Sequence, residues 1–194
     1  KKITQKTKAI MPVHVYGHPC EMDKILKLAK KYNLLVIEDA AEAHGAKYKN
    51  MKIGSIGDLT IFSFFANKNI TTGEGGIITT NNKKIFELLK KLRNQAFSPK
   101  RHFWHTYLGF NYRMTNLQAA IGCAQVKKME KLVKMRIEKA RYFNKHLKHI
   151  KGIKLPPETK NIKNVYWMYT IEVDKKTFGI DAINLRYKLA EKGI

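Results

Sequence analysis

Lys68 is the only lysine in the stretch 61–76, Ile-Phe-Ser-Phe-Phe-Ala-Asn-Lys-Asn-Ile-Thr-Thr-Gly-Glu-Gly-Gly. A lysine amine becomes a nucleophile when its surroundings disfavour its proton, and it then bonds carbonyl carbons. An ordinary surface lysine in a lysine-rich chain is the other reading that the stretch alone permits. A second set is Glu38, Asp39, Glu42 and His44, within Glu-Asp-Ala-Ala-Glu-Ala-His-Gly-Ala. Loop solvation would explain these polar groups. The small residues between them point instead to something large packed close by. A third set is aromatic and basic: Phe97, His102, Phe103, Trp104, His105 and Tyr107 lie within residues 95–109. An irregular loop of that length and make-up is more often functional than decorative.

These residues need elements to hold them. The apolar run 59–64 predicts a strand that delivers the lysine loop, and the glycines at 73–76 predict a tight turn into a second strand, 76–80. Residues 8–15 read as a strand tempered by Pro12. Met22, Ile25, Leu26 and Ala29 recur at helical spacing over 21–32, with Asn33 as the stop. The continuous apolar run 34–37 reads as a strand covered on both faces. Strand, helix and strand with short connections make a right-handed βαβ unit, and ligands bind beyond the carboxyl ends of such strands. Asp39 and its neighbours follow one of those ends.

Residues 47–58 read as a polar excursion. A helix fits 83–94 with Asn81 or Asn82 as its cap, and a long helix runs from Thr115 or Asn116 towards His149. Pro156-Pro157 marks a boundary. A strand is expected over 165–173 and a helix over 181–192. The fold class is therefore α/β, with a mainly parallel sheet flanked by helices, followed by the start of a smaller α+β domain. Two regions are expected, 1–150 and 151–194. Trp167 and Tyr169 read as core of the second, His14 and His18 as loop or sheet-edge residues.

Composition narrows the functional classes. Of 194 residues 44% are hydrophobic, enough for a sizeable core. Two distant cysteines, Cys20 and Cys123, exclude a zinc ribbon and fit a reducing cytoplasm. No apolar run approaches membrane-spanning length, and no signal peptide is visible. The net charge of +23, from 38 basic and 15 acidic residues, favours anionic partners. Lysine greatly outnumbers arginine and is spread along the chain, so nucleic acid is disfavoured as that partner.

Four ordered motifs carry a resemblance: Val36 to Gly45 (Val-Ile-Glu-Asp-Ala-Ala-Glu-Ala-His-Gly), Phe62 to Lys68 (Phe-Ser-Phe-Phe-Ala-Asn-Lys), Thr71 to Gly76 (Thr-Thr-Gly-Glu-Gly-Gly) and Gly109 to Met114 (Gly-Phe-Asn-Tyr-Arg-Met). Together they resemble the DegT/DnrJ/EryC1/StrS family of pyridoxal-phosphate-dependent sugar aminotransferases of fold type I. The resemblance implies that Lys68 bonds pyridoxal 5'-phosphate and moves the proton of the transfer step. It implies that Asp39 pairs with the pyridinium nitrogen, that Glu42 lies beside the ring and that Ser63 donates to the phosphate. Asn111 matches a residue reaching the phosphate from a partner subunit, so a homodimer with shared active sites is implied. His102, Trp104, His105 and Arg113 are candidates for the sugar-nucleotide site. The implied reaction transfers an amino group from L-glutamate to the C4 keto group of a nucleotide-diphosphate 4-keto-6-deoxy sugar. Lys68 argues against the dehydratases of this family, in which histidine replaces the lysine. A non-catalytic, cofactor-binding regulator and a basic nucleic-acid-binding domain are the alternatives from other classes. Family members also have an N-terminal region that cradles the cofactor phosphate, with no counterpart here. The chain is expected to be a fragment of a protein about twice as long, inactive by itself.

Overall fold

The two apolar runs nearest the chemistry become adjacent strands of one sheet. The structure, a computed structural model, describes residues 2–101 and 103–194. In chain order the first elements are β1 (Ala9–Ile10), α1 (Met22–Tyr32), β2 (Leu35–Asp39), β3 (Lys47–Tyr48), β4 (Met51–Lys52), β5 (Leu59–Ser63) and β6 (Gly76–Thr79). Then come α2 (Lys83–Arg93), α3 (Asn116–Leu147), β7 (Ile153–Lys154), β8 (Ile162–Lys163), β9 (Glu172–Val173), α4 (Lys175–Phe178) and α5 (Ala182–Ala190). The principal sheet has the order β1-β2-β5-β6. Its first two pairings are parallel and its last, β5 with β6, is antiparallel. The sheet is therefore mixed, because the lysine loop is a hairpin connection and a hairpin reverses the chain.

Local chemistry explains most boundaries. Asn33 ends α1 in the left-handed conformation (φ 52°), which asparagine tolerates. Asn82 caps α2 by accepting from the N–H groups of Lys84 and Ile85. Thr115 and Gln118 form a capping box at the start of α3. One hydrophobic cluster joins Met22 and Ala29 of α1, Val36 of β2, Ala40, Ala43 and Ala46 after it, Phe62 of β5, Val133 of α3, and Val165.

Several expectations change. β2 is half-buried with alternating faces, and it runs on through Glu38 and Asp39. Glu38 can stay inside because buried donors satisfy it. The stretch 47–58 contains a hairpin, β3–β4, whose turn residues Lys49 and Asn50 both have positive φ, and β3 also pairs with β8. The strand expected at 165–173 is confined to Glu172–Val173. Residues 165–167 instead hydrogen-bond the turn at Tyr16 and Gly17: Val165 N–H donates to the Gly17 carbonyl (3.1 Å) and Trp167 N–H to the Tyr16 carbonyl (2.9 Å).

Candidate active site

Asp39 and Ser63 end the two central parallel strands. Asp39 pairs with Ile61, so Ser63 lies two residues further along the neighbouring strand, on the same face by strand alternation. The Asp39 carboxylate accepts one local bond, from the Ala41 N–H (3.1 Å). Ser63 Oγ accepts from the Phe65 N–H (3.2 Å). Beyond Ser63 the chain folds back on itself: Phe64 N–H reaches the Gly75 carbonyl (2.8 Å), Thr72 N–H the Phe64 carbonyl (3.0 Å) and Lys68 N–H the Phe65 carbonyl (3.0 Å). Helix α3 clamps this loop. A side chain at Gly122 would meet Thr72 at 3.1 Å, and Gln118 Nε2 donates to the Glu74 carbonyl at 3.2 Å. The same helix sets Val133 against Gly45, so one rigid element holds both chemical motifs.

The Lys68 side chain is only 11% exposed, and its Nζ lies 4.0 Å from Glu42 Oε1. The other face of the amine is covered by the Trp167 indole, whose centroid is 4.0 Å from Nζ. Three hydrogen bonds fix that indole. Its Nε1–H donates to the Asn67 carbonyl (2.9 Å), its backbone N–H donates to Tyr16, and its carbonyl accepts from Arg136 (3.1 Å). Glu42 is fixed in turn by the Tyr16 N–H, 2.6 Å from Oε2. Gly17 makes the junction possible: its φ is +88°, and a Cβ there would fall 2.6 Å from Val165 Cγ2.

Two buried histidines flank the site in different states. His44 packs against Phe62 (5.3 Å) and Phe64 (5.9 Å). Neither of its ring nitrogens has a hydrogen-bond partner among the described residues. Burial, reinforced by the positive charge of Lys68, lowers its pKa to about 4. The Ser63 backbone offsets part of this without meeting hydrogen-bond geometry. His14 lies in the loop just after the Val13 bridge, as expected, yet it is fully buried there. Its Nδ1 accepts from the Cys20 N–H (3.0 Å), so the proton is on Nε2, which donates to Glu38 Oε2 (3.1 Å). Glu38 also accepts from the Gly57 N–H (2.7 Å) and the Thr60 hydroxyl (2.9 Å). Burial works against its charge, but these donors outweigh it and hold its pKa below the ordinary value.

Asp39, Glu42, Ser63 and Lys68 thus gather at one end of the sheet. The other candidates lie elsewhere in the chain. Asn111 pairs with Asn94, and the Arg113 guanidinium donates to the Asn94 side chain. His105 Nδ1 lies 2.6 Å from the Gln95 carbonyl, and Trp104 is 57% exposed beneath Arg101. Among the described residues no hydrogen bond, ion pair or ring contact joins these four to Lys68, Asp39, Glu42 or Ser63. Arg113 lines a cavity of about 480 Å³ with Tyr112, Met114, Glu74 and Ile77. His102 lies outside the described residues. Trp167, expected in a separate core, is the group that sequence reasoning missed. Its signal was the aromatic run 166–169, which carries no indication of what it packs against. Tyr169 of the same run hydrogen-bonds Asn144 of α3 (2.7 Å).

The assembled groups suit one kind of ligand. A shielded amine suits a carbonyl carbon, a carboxylate at a strand end suits a ring nitrogen, and a serine hydroxyl with free donor capacity suits an anionic tail. His44 and Asn69 add buried polar atoms that no described residue satisfies. Among the described residues no helix is long and apolar enough to cross a membrane.

The family model described as the DegT/DnrJ/EryC1/StrS aminotransferase family matches residues 1–194. GDP-perosamine synthase of Escherichia coli O157:H7 is 46% identical over 171 residues, 88% of this chain and 46% of that protein. The structure of S. venezuelae DesV in complex with a ketimine intermediate superposes with a TM-score of 0.90 at 32% identity, covering 99% of this chain and 50% of the other. E. coli GDP-4-keto-6-deoxy-D-mannose-3-dehydratase with bound hydrated PLP gives a TM-score of 0.89 at 27% identity, over 100% of this chain and 53% of the other. The chain spans about half the length of the curated relatives it matches.

Proposed function

The chain belongs to the DegT/DnrJ/EryC1/StrS aminotransferase family, and from that premise we propose that its full-length protein is a pyridoxal 5'-phosphate-dependent nucleotide-sugar aminotransferase. The reaction we assign moves an amino group from L-glutamate to the C4 keto group of a nucleotide-linked 4-keto-6-deoxy sugar, as in the synthesis of GDP-perosamine or a similar amino sugar. The observation that carries this reading is the setting of Lys68: a largely covered amine, 11% exposed and 4.0 Å from a carboxylate, in the loop that follows a parallel strand. A surface lysine would have neither the burial nor the fixed partners.

When bound, pyridoxal phosphate supplies an electron sink that stabilises negative charge on the carbon losing its proton. Lys68 Nζ would hold that group and, as a free amine, would accept and return the proton. Asp39 keeps the ring nitrogen protonated. Glu42, held by the Tyr16 N–H, lies beside the ring, and the Ser63 hydroxyl donates to the phosphate. His44 stays neutral and so adds no second positive charge beside Lys68. In this reading Asn111 serves the site of a partner subunit. His102, Trp104, His105 and Arg113 then contribute to the sugar-nucleotide site of a cytoplasmic homodimer. Residues 1–150 form the second half of the cofactor domain with its connecting helix, and 151–194 begin the smaller domain.

The test uses the full-length protein with pyridoxal phosphate, glutamate and a panel of nucleotide 4-keto-6-deoxy sugars, with products followed by mass. The expected product has gained an amino group, and Lys68→Ala abolishes its formation. Undiminished turnover by Lys68→Ala, or a product that has lost a hydroxyl and gained no nitrogen, would refute the assignment.

A further inference from the structure

We propose that Trp167 is a positioning residue for Lys68, an aromatic lid that confines the amine between its indole face and Glu42. The inference rests on the reading of Lys68 as the residue that bonds the cofactor. Lysine has a long side chain with many rotamers, and ordering it costs conformational entropy. Nothing within the lysine loop itself supplies that order: Lys68 is the loop's only cation, and its nearest charged partner, Glu42, is 4.0 Å away. The indole provides the second wall at 4.0 Å. It is itself held from three directions, by Asn67, Tyr16 and Arg136. Asn67 is the residue before the lysine, so the lid and the loop are tied at the point where the lysine side chain leaves the backbone. Tyr16 ties both walls, its carbonyl accepting from Trp167 and its N–H donating to Glu42. A cation over an indole face is attracted by the ring quadrupole, and the ring also keeps water from that side of the amine.

The step affected is attachment. Lys68 Nζ forms a bond to the aldehyde carbon, and both amine hydrogens leave with the carbonyl oxygen as one water. A confined nitrogen is nearer its reacting geometry than a free one.

The experiment measures attachment in the full-length protein, native and with Trp167→Leu or Trp167→Phe. Absorbance gives the rate with pyridoxal phosphate and with pyridoxal, and borohydride reduction followed by peptide mapping locates the bond at Lys68. Leucine fills space without a planar wall, so the amine regains rotamer freedom and the rate should fall about two- to fivefold with both probes, a fraction of one lysine side chain's ordering entropy. Phenylalanine keeps a face and should stay within about twofold of native. The thermal midpoint of each variant reports that it is folded, and should leucine fail to fold, Trp167→Met, which also lacks an aromatic face, replaces it with the same expected fall. A native rate in Trp167→Leu, an equal loss in Trp167→Phe, or slowing with pyridoxal phosphate alone would overturn the proposal. The last outcome would mean general damage to the phosphate contacts. Absence of any adduct at Lys68 in the native protein would instead refute the cofactor reading itself.

Discussion

His44 should make the protein acid-sensitive in a defined window. An imidazole in an unfolded chain titrates near 6.5, whereas burial between Phe62 and Phe64 and the charge on Lys68 hold this one at about 4. The folded state therefore prefers the neutral ring. Between these values the unfolded chain binds more protons than the folded one, so stability must rise with pH there. The contribution is complete above about pH 6.5 and is lost as pH falls through about 4. At roughly 1.4 kcal/mol per pH unit, the gap is worth about 3 kcal/mol. Many carboxylates titrate in the same region, and the comparison must cancel them. Urea unfolding of the native protein and of His44→Leu, measured from pH 7.5 down to 4, does so because the other groups are common to both. The native curve should fall by about 3 kcal/mol more than the variant's over that range. Curves that stay parallel would show that His44 does not carry this linkage, and that its environment tolerates the charged ring.

Three other perturbations test the supports of the site. Glu38→Ala would leave the His14 Nε2–H, the Gly57 N–H and the Thr60 hydroxyl buried without an acceptor, and should cost about 3–5 kcal/mol by urea unfolding; a loss under about 1 kcal/mol would contradict the buried cluster. Gly17→Ala places a side chain at φ +88° and 2.6 Å from Val165 Cγ2. The left-handed backbone alone costs about 1–2 kcal/mol, so the thermal midpoint should drop visibly, and an unchanged midpoint would mean that the turn relaxes freely. Asp39→Asn should leave the fold intact, since the backbone bonds of Asp39 to Pro12 and His14 remain, while turnover by the full-length protein falls; full activity would remove Asp39 from its assigned role.

Much of the scaffold was legible because it is written locally. The stripe at Met22, Ile25, Leu26 and Ala29, the Asn33 stop and the caps expected at Asn81 or Asn82 and at Thr115 or Asn116 are all contained within single elements, and the structure settles the caps on Asn82 and Thr115. Lys68, Asp39, Ser63 and Glu42 were singled out as a set by the resemblance, and the sheet adds only that β2 and β5 are adjacent parallel strands, so Asp39 and Ser63 end side by side. The misplaced segments share a different property. The apolar run 165–173 has strand-forming residues, but its partner is the turn at Tyr16–Gly17, about 150 positions earlier in the chain. Pattern within the run cannot report a partner so distant.

His14, Glu38 and Trp167 sharpen that distinction. A histidine flanked by valines, two residues after a proline, reads as a loop or edge residue, and a glutamate after an apolar run reads as a solvated loop group. Each is polar enough to be costly inside alone, and each is buried because the other is there. Only the register that brings Val13 beside Asp39 reveals the pair, since it aligns the residues next to both. Trp167 presents the converse case. An indole is expected in a core, and it does cover something, but what it covers is the cation on which the proposed chemistry depends. The junction requires a residue without a side chain at Gly17, where Val165 and the Glu42 carbonyl crowd the position a Cβ would take. The site thus depends on three segments, 16–17, 42–44 and 165–167, closing around the lysine loop. A change at Gly17 should therefore reach Lys68 by way of Glu42 and Trp167, though neither Gly17 nor its neighbours in sequence supply any reacting group.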